Sequence, residues 1–428
     1  MNSRLTGESA YTPSNARLAL MMAVLGLGYF FCYFHRTSLS VLSTDIVKDF
    51  GIDAAGLGIL GAAYYYPYAV MQIPCGFIVD RIGAKITIAC CLLLAAVGSV
   101  WFGMTSNFNE LVIARGLIGF AMAFSYVPAL RAIREWFKAE RFGFLTGVLF
   151  TMGTLGALLA SAPLTFIAKH QGWRWVYYEI GILSLALSLI AWFAVLGHKK
   201  ESAPPAATQP QASPQEKPAS RTRFFWILNL LLLCLWFFCF SGIKLSFQTL
   251  WAGPYLANVF AFSKEDVGFA MMFFHLGNVC SGPIVGFLAD RWDYRKILLG
   301  TTGAVALLWL IMANWPGSMS FYAALCLYSL MGFFGGGALI GAFTATGLYA
   351  KKEHSGSVLG ITNAVALFGS AVFTQGTGHT IKALAAHGPA VSYQILYWIF
   401  FALIVMCTML AWYMRKHFPE RNQQKSAS

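Results

Sequence analysis

The chain contains 428 residues, of which 58% are hydrophobic and 11% are charged. A soluble domain is about 45–50% apolar and about 25% charged, so this composition excludes both a water-soluble fold and a disordered chain. The net charge of +13 indicates either a nucleic-acid-binding surface or basic membrane loops. The positions of the charges distinguish these two explanations.

A helix needs about 20 mostly apolar residues to cross a bilayer. The first 15 residues are polar and lack a cleavable signal pattern, so we expect the first helix to be retained. The fold class that we predict is an all-α membrane protein with twelve transmembrane helices in two pseudo-symmetric six-helix bundles. The predicted spans are 18–42, 56–79, 86–105, 109–132, 143–167, 175–196, 224–250, 266–289, 297–314, 319–346, 356–381 and 392–414.

One internal segment differs in composition from the rest of the chain. Residues 197–223 are rich in Pro, Ala, Gln and Ser with scattered basic residues, which is typical of a flexible linker. This segment divides the chain into an N-terminal six-helix bundle, 1–196, and a C-terminal six-helix bundle with a short tail, 224–428.

The two predicted bundles repeat each other. The turn after the second span reads GFIVDRIGAK over 76–85, and the turn after the eighth reads GFLADRWDYR over 286–295, an offset of 210. A second pair, ERFGFLTG from 140 and EHSGSVLG from 353, has an offset of 213. Duplicated halves with a site near the bilayer midplane are typical of transporters.

The basic residues are distributed unequally between the two sides. With both termini on the cytoplasmic side, 22 Lys and Arg residues fall in cytoplasmic segments, 5 in external segments and 3 inside spans. Cytoplasmic loops of membrane proteins carry such an excess. The asymmetry therefore predicts cytoplasmic termini and a cytoplasmic linker, in the inner or plasma membrane, and it accounts for the net charge without nucleic-acid binding.

The repeated turn, G-x-x-x-D-R-x-G-x-K, resembles the signature of the major facilitator superfamily. The resemblance implies a gating role on the cytoplasmic side, in which Gly76 lets helices pack closely and Asp80 contacts arginines and a helix N-terminus; a plain topogenic charge cluster is the alternative. In the second copy, Asp293 replaces the glycine. The predicted gating residues are Gly76, Asp80, Arg81, Gly83, Lys85, Gly286, Asp290, Arg291 and Arg295.

Further segments resemble the organic-anion and sugar-phosphate permease branches of this superfamily. These are PALRAIREWF from 128, GWR from 172, and FQTLWAGPY from 247. The fifth span lacks the Gly-Pro-x-x-Gly-Gly core of drug antiporters, which lowers support for drug export.

Two cations inside the predicted spans are candidates for anion binding. Arg36 lies in the first span, where the resembling branches have an arginine that binds the anionic group, and a guanidinium can hold a carboxylate or phosphate through two hydrogen bonds. Lys244 lies two residues from the position related to Arg36 by the 210-residue offset. The alternatives are an arginine that reaches the interface and a structural lysine. The predicted substrate-binding residues are Arg36, Lys244, Tyr33, Tyr65, Gln72, Gln248 and Asn363.

Proton coupling needs a group that titrates, and no carboxylate lies deep in a span. The candidates are His35, Arg115 and His275, because histidine changes charge near neutral pH and Arg115 lies in a segment that resembles the second motif of the superfamily. If neither histidine titrates, exchange or facilitated diffusion follows.

The sequence as a whole favours a secondary active transporter, a monomer that imports a small anionic organic solute with protons. The solute is an organic acid, a sugar acid, an amino acid or a phosphate ester. The alternatives are a proton antiporter that exports drugs or metabolites, and a non-transporting sensor on the same fold. No metal-ligand spacing, phosphate loop or nucleophile–base set is present in the sequence, so we expect no enzyme activity, metal or cofactor.

Overall fold

The computed structural model describes residues 13–197, 220–315, 317–349 and 355–417, and these ranges are almost entirely helical. Most of the predicted linker and the start of the second repeat anchor, Glu353 and His354, lie outside them. The helices are α1 Asn15–Phe50, α2 Ala54–Ile82, α3 Ala84–Met104, α4 Phe108–Trp136, α5 Phe142–Leu159 with its continuation Ala162–Gln171, α6 Trp173–Ala194, α7 220–260, α8 Lys264–Arg291, α9 Tyr294–Ala313, α10 Phe321–Tyr349, α11 Ser355–Ala383 and α12 Pro389–His417.

Eleven of these helices, within the described residues, are long and apolar enough to cross a membrane. The remaining one, α2, has 29 residues and is also long enough. Its four tyrosines, two prolines and one glutamine lower its mean hydropathy. The prediction of an all-α membrane protein with twelve spanning helices is confirmed.

The helices pack as two six-helix bundles with the same internal arrangement. In the first half α1 packs on α5, α2 on α4, and α3 on α6. In the second half α7 packs on α11, α8 on α10, and α9 on α12. The halves meet where α1 contacts α7, α2 contacts α11, and α5 contacts α8. This pairing is the pseudo-symmetry that the repeated turns predict.

Several helix ends differ from the sequence prediction. The first helix continues to Phe50, and α7 begins at Ser220, inside the predicted linker. The helical hydrogen bonding of α4 is interrupted before Val127, and that of α5 is interrupted before Ala162. Both interruptions are followed by a proline in the first turn of the next segment, a position where proline needs no amide donor.

Helix α7 contains two π-helical segments, Phe237–Ser241 and Phe247–Trp251. They enclose a short α-helical piece, Gly242–Ser246, that carries Lys244. A π turn forms i→i+5 hydrogen bonds and is rare, and such turns occur often at functional sites. Hydropathy does not reveal them, because it reports the polarity of side chains and not the hydrogen-bond spacing of the backbone.

The two ends of the molecule differ in how closely the halves approach. We call the end with the α1–α2 turn the Gly51 end, and the end with the α2–α3 turn the Gly83 end. At the Gly51 end, a Cβ atom on Gly253 of α7 would lie 2.2 Å from the Ser40 carbonyl oxygen of α1, and one on Gly378 of α11 would lie 2.4 Å from the Ala54 carbonyl oxygen of α2. Only glycine permits these approaches, so the halves are in direct backbone contact there.

The described residues show no such close approach at the Gly83 end. A Cβ atom on Gly76, Gly147, Gly286 or Gly360 would have no heavy atom within 4 Å. The structure therefore holds the conformation that is closed at the Gly51 end.

Candidate substrate site between the two halves

Arg36 lies among tyrosine rings on the first half. Its guanidinium carbon is 4.9 Å from the ring centroid of Tyr33, 5.2 Å from that of Tyr68 and 6.0 Å from that of Tyr65. Arg36 is 8% exposed, and its Nε atom has no hydrogen-bond partner among the described residues. The aromatic faces stabilise the cation. No carboxylate in the described ranges neutralises it.

Lys244 lies in an amide-rich cluster on the second half. Its Nζ atom donates to Gln248 Oε1 and to Asn278 Oδ1, each at 3.1 Å. Gln248 Nε2 lies 3.5 Å from His275 Nδ1, and His275 Nε2 is buried without a partner in the described residues. Gly335 of α10 leaves room for the lysine stem, since a Cβ atom there would lie 2.9 Å from Lys244 Cε. The structure thus brings together three predicted residues, Lys244, Gln248 and His275.

Arg36 lies at the junction of the halves. Tyr65, whose ring contacts Arg36, donates through its hydroxyl to Thr249 Oγ1 of α7 at 2.9 Å. Thr249 is a residue that sequence reasoning missed, because a threonine in an apolar span carries no distinguishing signal.

Two predicted residues pair directly across the halves. Asn363 Nδ2 of α11 donates to Gln72 Oε1 of α2 at 2.9 Å, and Tyr66 of α2 donates to Gln375 Oε1 of α11 at 2.8 Å. In this conformation the side chains of Gln72 and Asn363 are hydrogen-bonded to each other, and they close the side of the site where α2 meets α11.

His35 and Arg115 lie behind the site, inside the first half. Arg115 Nη2 donates to the His35 carbonyl oxygen at 2.9 Å, and Arg115 Nη1 contacts the Tyr177 hydroxyl at 3.5 Å. His35 Nε2 lies 3.4 Å from Ser99 Oγ, and its Nδ1 atom is buried without a partner in the described residues. Arg115 therefore fixes the backbone of α1 one residue before Arg36.

The predicted gating residues of the first half contact their own half in this conformation. Asp80 forms an ion pair with Arg131 of α4, which also bonds Glu135 at 2.8 Å. Gly83 has φ +83°, which favours glycine, whereas Arg81 is exposed. Lys85 Nζ lies 5.2 Å from the ring centroid of Trp192 on α6. A Cβ atom on Gly76 would have no heavy atom of the described residues within 4 Å, so the predicted close helix approach at Gly76 is absent from this conformation.

The second copy of the motif is built differently. Asp293, which replaces the glycine, accepts from the Arg295 backbone nitrogen at 3.0 Å and so caps the start of α9. The Arg295 guanidinium pairs with the same carboxylate at 2.7 Å. Arg291 lies over the Phe287 ring at 4.0 Å, and a Cβ on Gly286 would meet open space. The side chain of Asp290 lies outside the described residues.

Three ion pairs join the halves at the Gly51 end. They link Asp45 to Lys264, Lys169 to Glu265, and Asp53 to Lys382, the last at 2.8 Å. The Lys382 hydrogen bond and the Gly56 backbone amide lower the pKa of Asp53, which lies in the α1–α2 turn. We did not expect these pairs from the sequence, because their partners are distant in the chain.

The family model described as the Major Facilitator Superfamily matches residues 25–374 and again 246–428. The chain belongs to the major facilitator superfamily. It is therefore a multi-pass membrane protein of a transporter family, and not an enzyme. This confirms the family that the repeated turn indicates.

Curated relatives of this superfamily member carry several names. A probable hexose phosphate transport protein of Chlamydia pneumoniae is 22% identical over 80% of this chain and 81% of its own length. A probable sulfoacetate transporter of Cupriavidus necator is 26% identical over 64% of this chain and 65% of its own. A D-galactonate transporter of Escherichia coli is 28% identical over 42% of this chain and 41% of its own.

Solved structures share the fold. A bacterial homolog of the human lysosomal transporter Spinster, in an inward-facing and unoccupied conformation, superposes with a TM-score of 0.75 at 17% identity, over 95% of this chain and 98% of that chain. A D-xylose–proton symporter superposes with a TM-score of 0.75 at 16% identity, over 94% and 98%. The predicted fold class is thereby confirmed.

Proposed function

We propose that this major facilitator protein is a secondary active transporter that imports a small anionic organic solute with protons by alternating access. The observation that carries the proposal is Arg36, a buried arginine at the junction of the halves with no acidic partner among the described residues. A buried cation without a counter-ion is costly, and a substrate anion would remove that cost.

The two halves offer different groups to such a solute. Arg36 on the first half would bind its carboxylate, sulfonate or phosphate group bidentately. Lys244 on the second half would add a second positive charge, and the amides of Gln248 and Asn278 would accept or donate to hydroxyl groups. The pairing of Gln72 with Asn363 would open when the halves separate, which adds two amides to the site.

The names of the relatives support an anionic solute. Hexose phosphate, sulfoacetate and galactonate each carry a phosphate, sulfonate or carboxylate group. They share an anionic group and differ in the rest of the molecule, which is consistent with a site that holds the anionic group through Arg36.

The orientation follows from charge. We propose that both termini lie in the cytoplasm and that the membrane is the inner or plasma membrane, because 22 basic residues then fall on the cytoplasmic side and 5 outside. The Gly83 end would then face the cytoplasm, and the conformation described above would be the inward-open one. The protein would act as a monomer, since each chain holds both halves of the site.

For proton coupling we favour His275 over His35 and Arg115. His275 contacts Gln248, which accepts a hydrogen bond from Lys244. Protonation of His275 would therefore change the hydrogen bonding and the electrostatic potential at the substrate site. His35 and Arg115 lie behind α1 and contact its backbone instead. Their effect on the substrate would be indirect.

The test is uptake into proteoliposomes of a radiolabelled panel of sugar acids, organic acids, phosphate esters and sulfonates, with and without an imposed proton gradient. Arg36→Gln should abolish uptake of the accepted solute. Arg141→Gln, which removes an exposed arginine from the Gly83 end, is the matched control and should retain uptake.

Each alternative has its own result. Wild-type uptake by Arg36→Gln would contradict the role of Arg36. Binding of a panel member without flux would indicate a sensor, and proton-driven extrusion of hydrophobic drugs would indicate an exporter. Wild-type uptake that does not depend on the proton gradient would contradict proton coupling. Loss of this gradient dependence in His275→Asn, but not in variants of His35 and Arg115, would support the assignment to His275.

A further inference from the structure

A groove of about 590 Å³ lies on the membrane-facing side of the first half, between α3 and α6. Its walls are apolar: Val97 on α3 is 51% exposed, and Ile182 and Leu185 on α6 are 63% and 43% exposed. At its floor Gly181 brings the two helices together, since a Cβ atom there would lie 2.6 Å from Val100. The groove is separate from the substrate site, which faces the other half.

The length of the groove matches one leaflet. Along α3 it extends from Met104, at the Gly51 end, to Leu93. Eleven residues of helix rise about 16 Å, and half of a hydrocarbon core of about 30 Å is about 15 Å. A single acyl chain that enters at the Gly51 surface would thus reach the bilayer midplane within the groove.

A carboxylate marks the mouth of the groove. Glu110, in the first turn of α4, is exposed and accepts from Thr105 Oγ1 at 2.8 Å. Within the described ranges no lysine, arginine or histidine pairs with it. The neighbouring Arg174 is engaged with Asp49 at 3.1 Å and with the Thr105 carbonyl at 2.6 Å, so it does not neutralise Glu110.

We propose that this groove binds a phospholipid with a primary ammonium headgroup, of the phosphatidylethanolamine type, from the leaflet at the Gly51 end. One acyl chain fills the groove between α3 and α6. The headgroup ammonium donates to Glu110. A quaternary ammonium has no N–H to donate, and a phosphatidylglycerol headgroup has no cation, so both lack this contact.

The test is native mass spectrometry of the full-length protein with added phosphatidylethanolamine, phosphatidylcholine or phosphatidylglycerol of identical acyl chains. Wild type should bind phosphatidylethanolamine about two- to fivefold more tightly than phosphatidylcholine, as expected for one exposed hydrogen-bonded ion pair. Glu110→Ala, a surface change that removes both the charge and the acceptor oxygens, should make the two affinities equal.

A second pair of variants tests the acyl chain. Val97→Trp fills the groove and should reduce binding of all three lipids. Leu307→Trp is the matched control, because Leu307 lies 210 residues later on α9 and is 56% exposed at the corresponding place in the second half. Leu307→Trp should bind lipid as the wild type does.

Two results would overturn the proposal. A phosphatidylethanolamine preference that persists in Glu110→Ala would refute the headgroup contact. Equal lipid binding by Val97→Trp and Leu307→Trp would refute the groove. Thermal unfolding of each variant without added lipid checks the fold, and a rise in melting temperature on adding phosphatidylethanolamine, seen in wild type and absent in Glu110→Ala, would support the proposal independently.

Discussion

Gly253→Ala should shift the molecule away from the conformation that is closed at the Gly51 end. The new methyl group would lie 2.2 Å from the Ser40 carbonyl oxygen, whereas ordinary contacts are 3.4–4 Å, so α1 and α7 would have to separate by more than 1 Å. Overpacking of this kind costs about 1–3 kcal/mol. Because about 1.4 kcal/mol is a tenfold change in an equilibrium constant, the ratio of closed to open molecules should fall about 5- to 140-fold.

Spin labels at Asn109 and Ser318, both exposed and both at the Gly51 end, would report this change by double electron–electron resonance, with the exposed Cys90, Cys280 and Cys326 replaced. Gly300→Ala is the control, since it is also a helical glycine-to-alanine change but a Cβ atom there meets no neighbour within 4 Å. Longer distances in Gly253→Ala alone are expected. Identical distance distributions in both variants would refute the backbone contact as a determinant of closure.

Three further predictions concern charges and hydrogen bonds. Lys382→Gln should lower the ratio of closed to open molecules by about fivefold or less, and by a smaller factor in high salt, because an exposed ion pair contributes about 0.2–1 kcal/mol; spin-label distances measure this ratio. Since the pKa of Asp53 is lowered, its contact with Lys382 is complete above the usual aspartate pKa and is lost only as pH falls through the lowered value, so closure measured by the same labels should not change between about pH 5 and pH 8. Arg115→Leu removes a charged donor to the His35 carbonyl, which should cost about 1.5–3 kcal/mol and lower the melting temperature; an unchanged melting temperature would contradict the contact.

The sequence predicted the architecture because its signals are local. Apolar runs of about 20 residues specify spans, and the repeated turns at 76 and 286 specify two related halves. The candidates Arg36, Lys244, Gln248 and His275 could be recognised because polar groups in apolar spans are rare.

The remaining features depend on contacts between distant residues. The Gln72–Asn363 pair and the ion pair of Asp53 with Lys382 join residues about 300 positions apart, and neither partner has a distinctive neighbourhood in the sequence. The motif also predicts a gating role for Lys85 but does not show that Lys85 lies over Trp192 in this conformation. A sequence motif therefore indicates which residues have a role, but it does not show which contacts they make in a given conformation.

The π segment Phe247–Trp251 also bears on how α1 and α7 compare. The end of α1 at Phe50 and the end of α7 at Phe260 are related by the same 210-residue offset as the motif glycines at 76 and 286. At that offset Arg36 corresponds to Ser246, and Lys244 lies two residues earlier. A π turn bonds i to i+5 and so contains one residue more than an α turn, which changes the α7 side chains that share a face with Lys244. The sequence offset alone therefore does not show which side chains of α1 and α7 occupy equivalent places in the two halves.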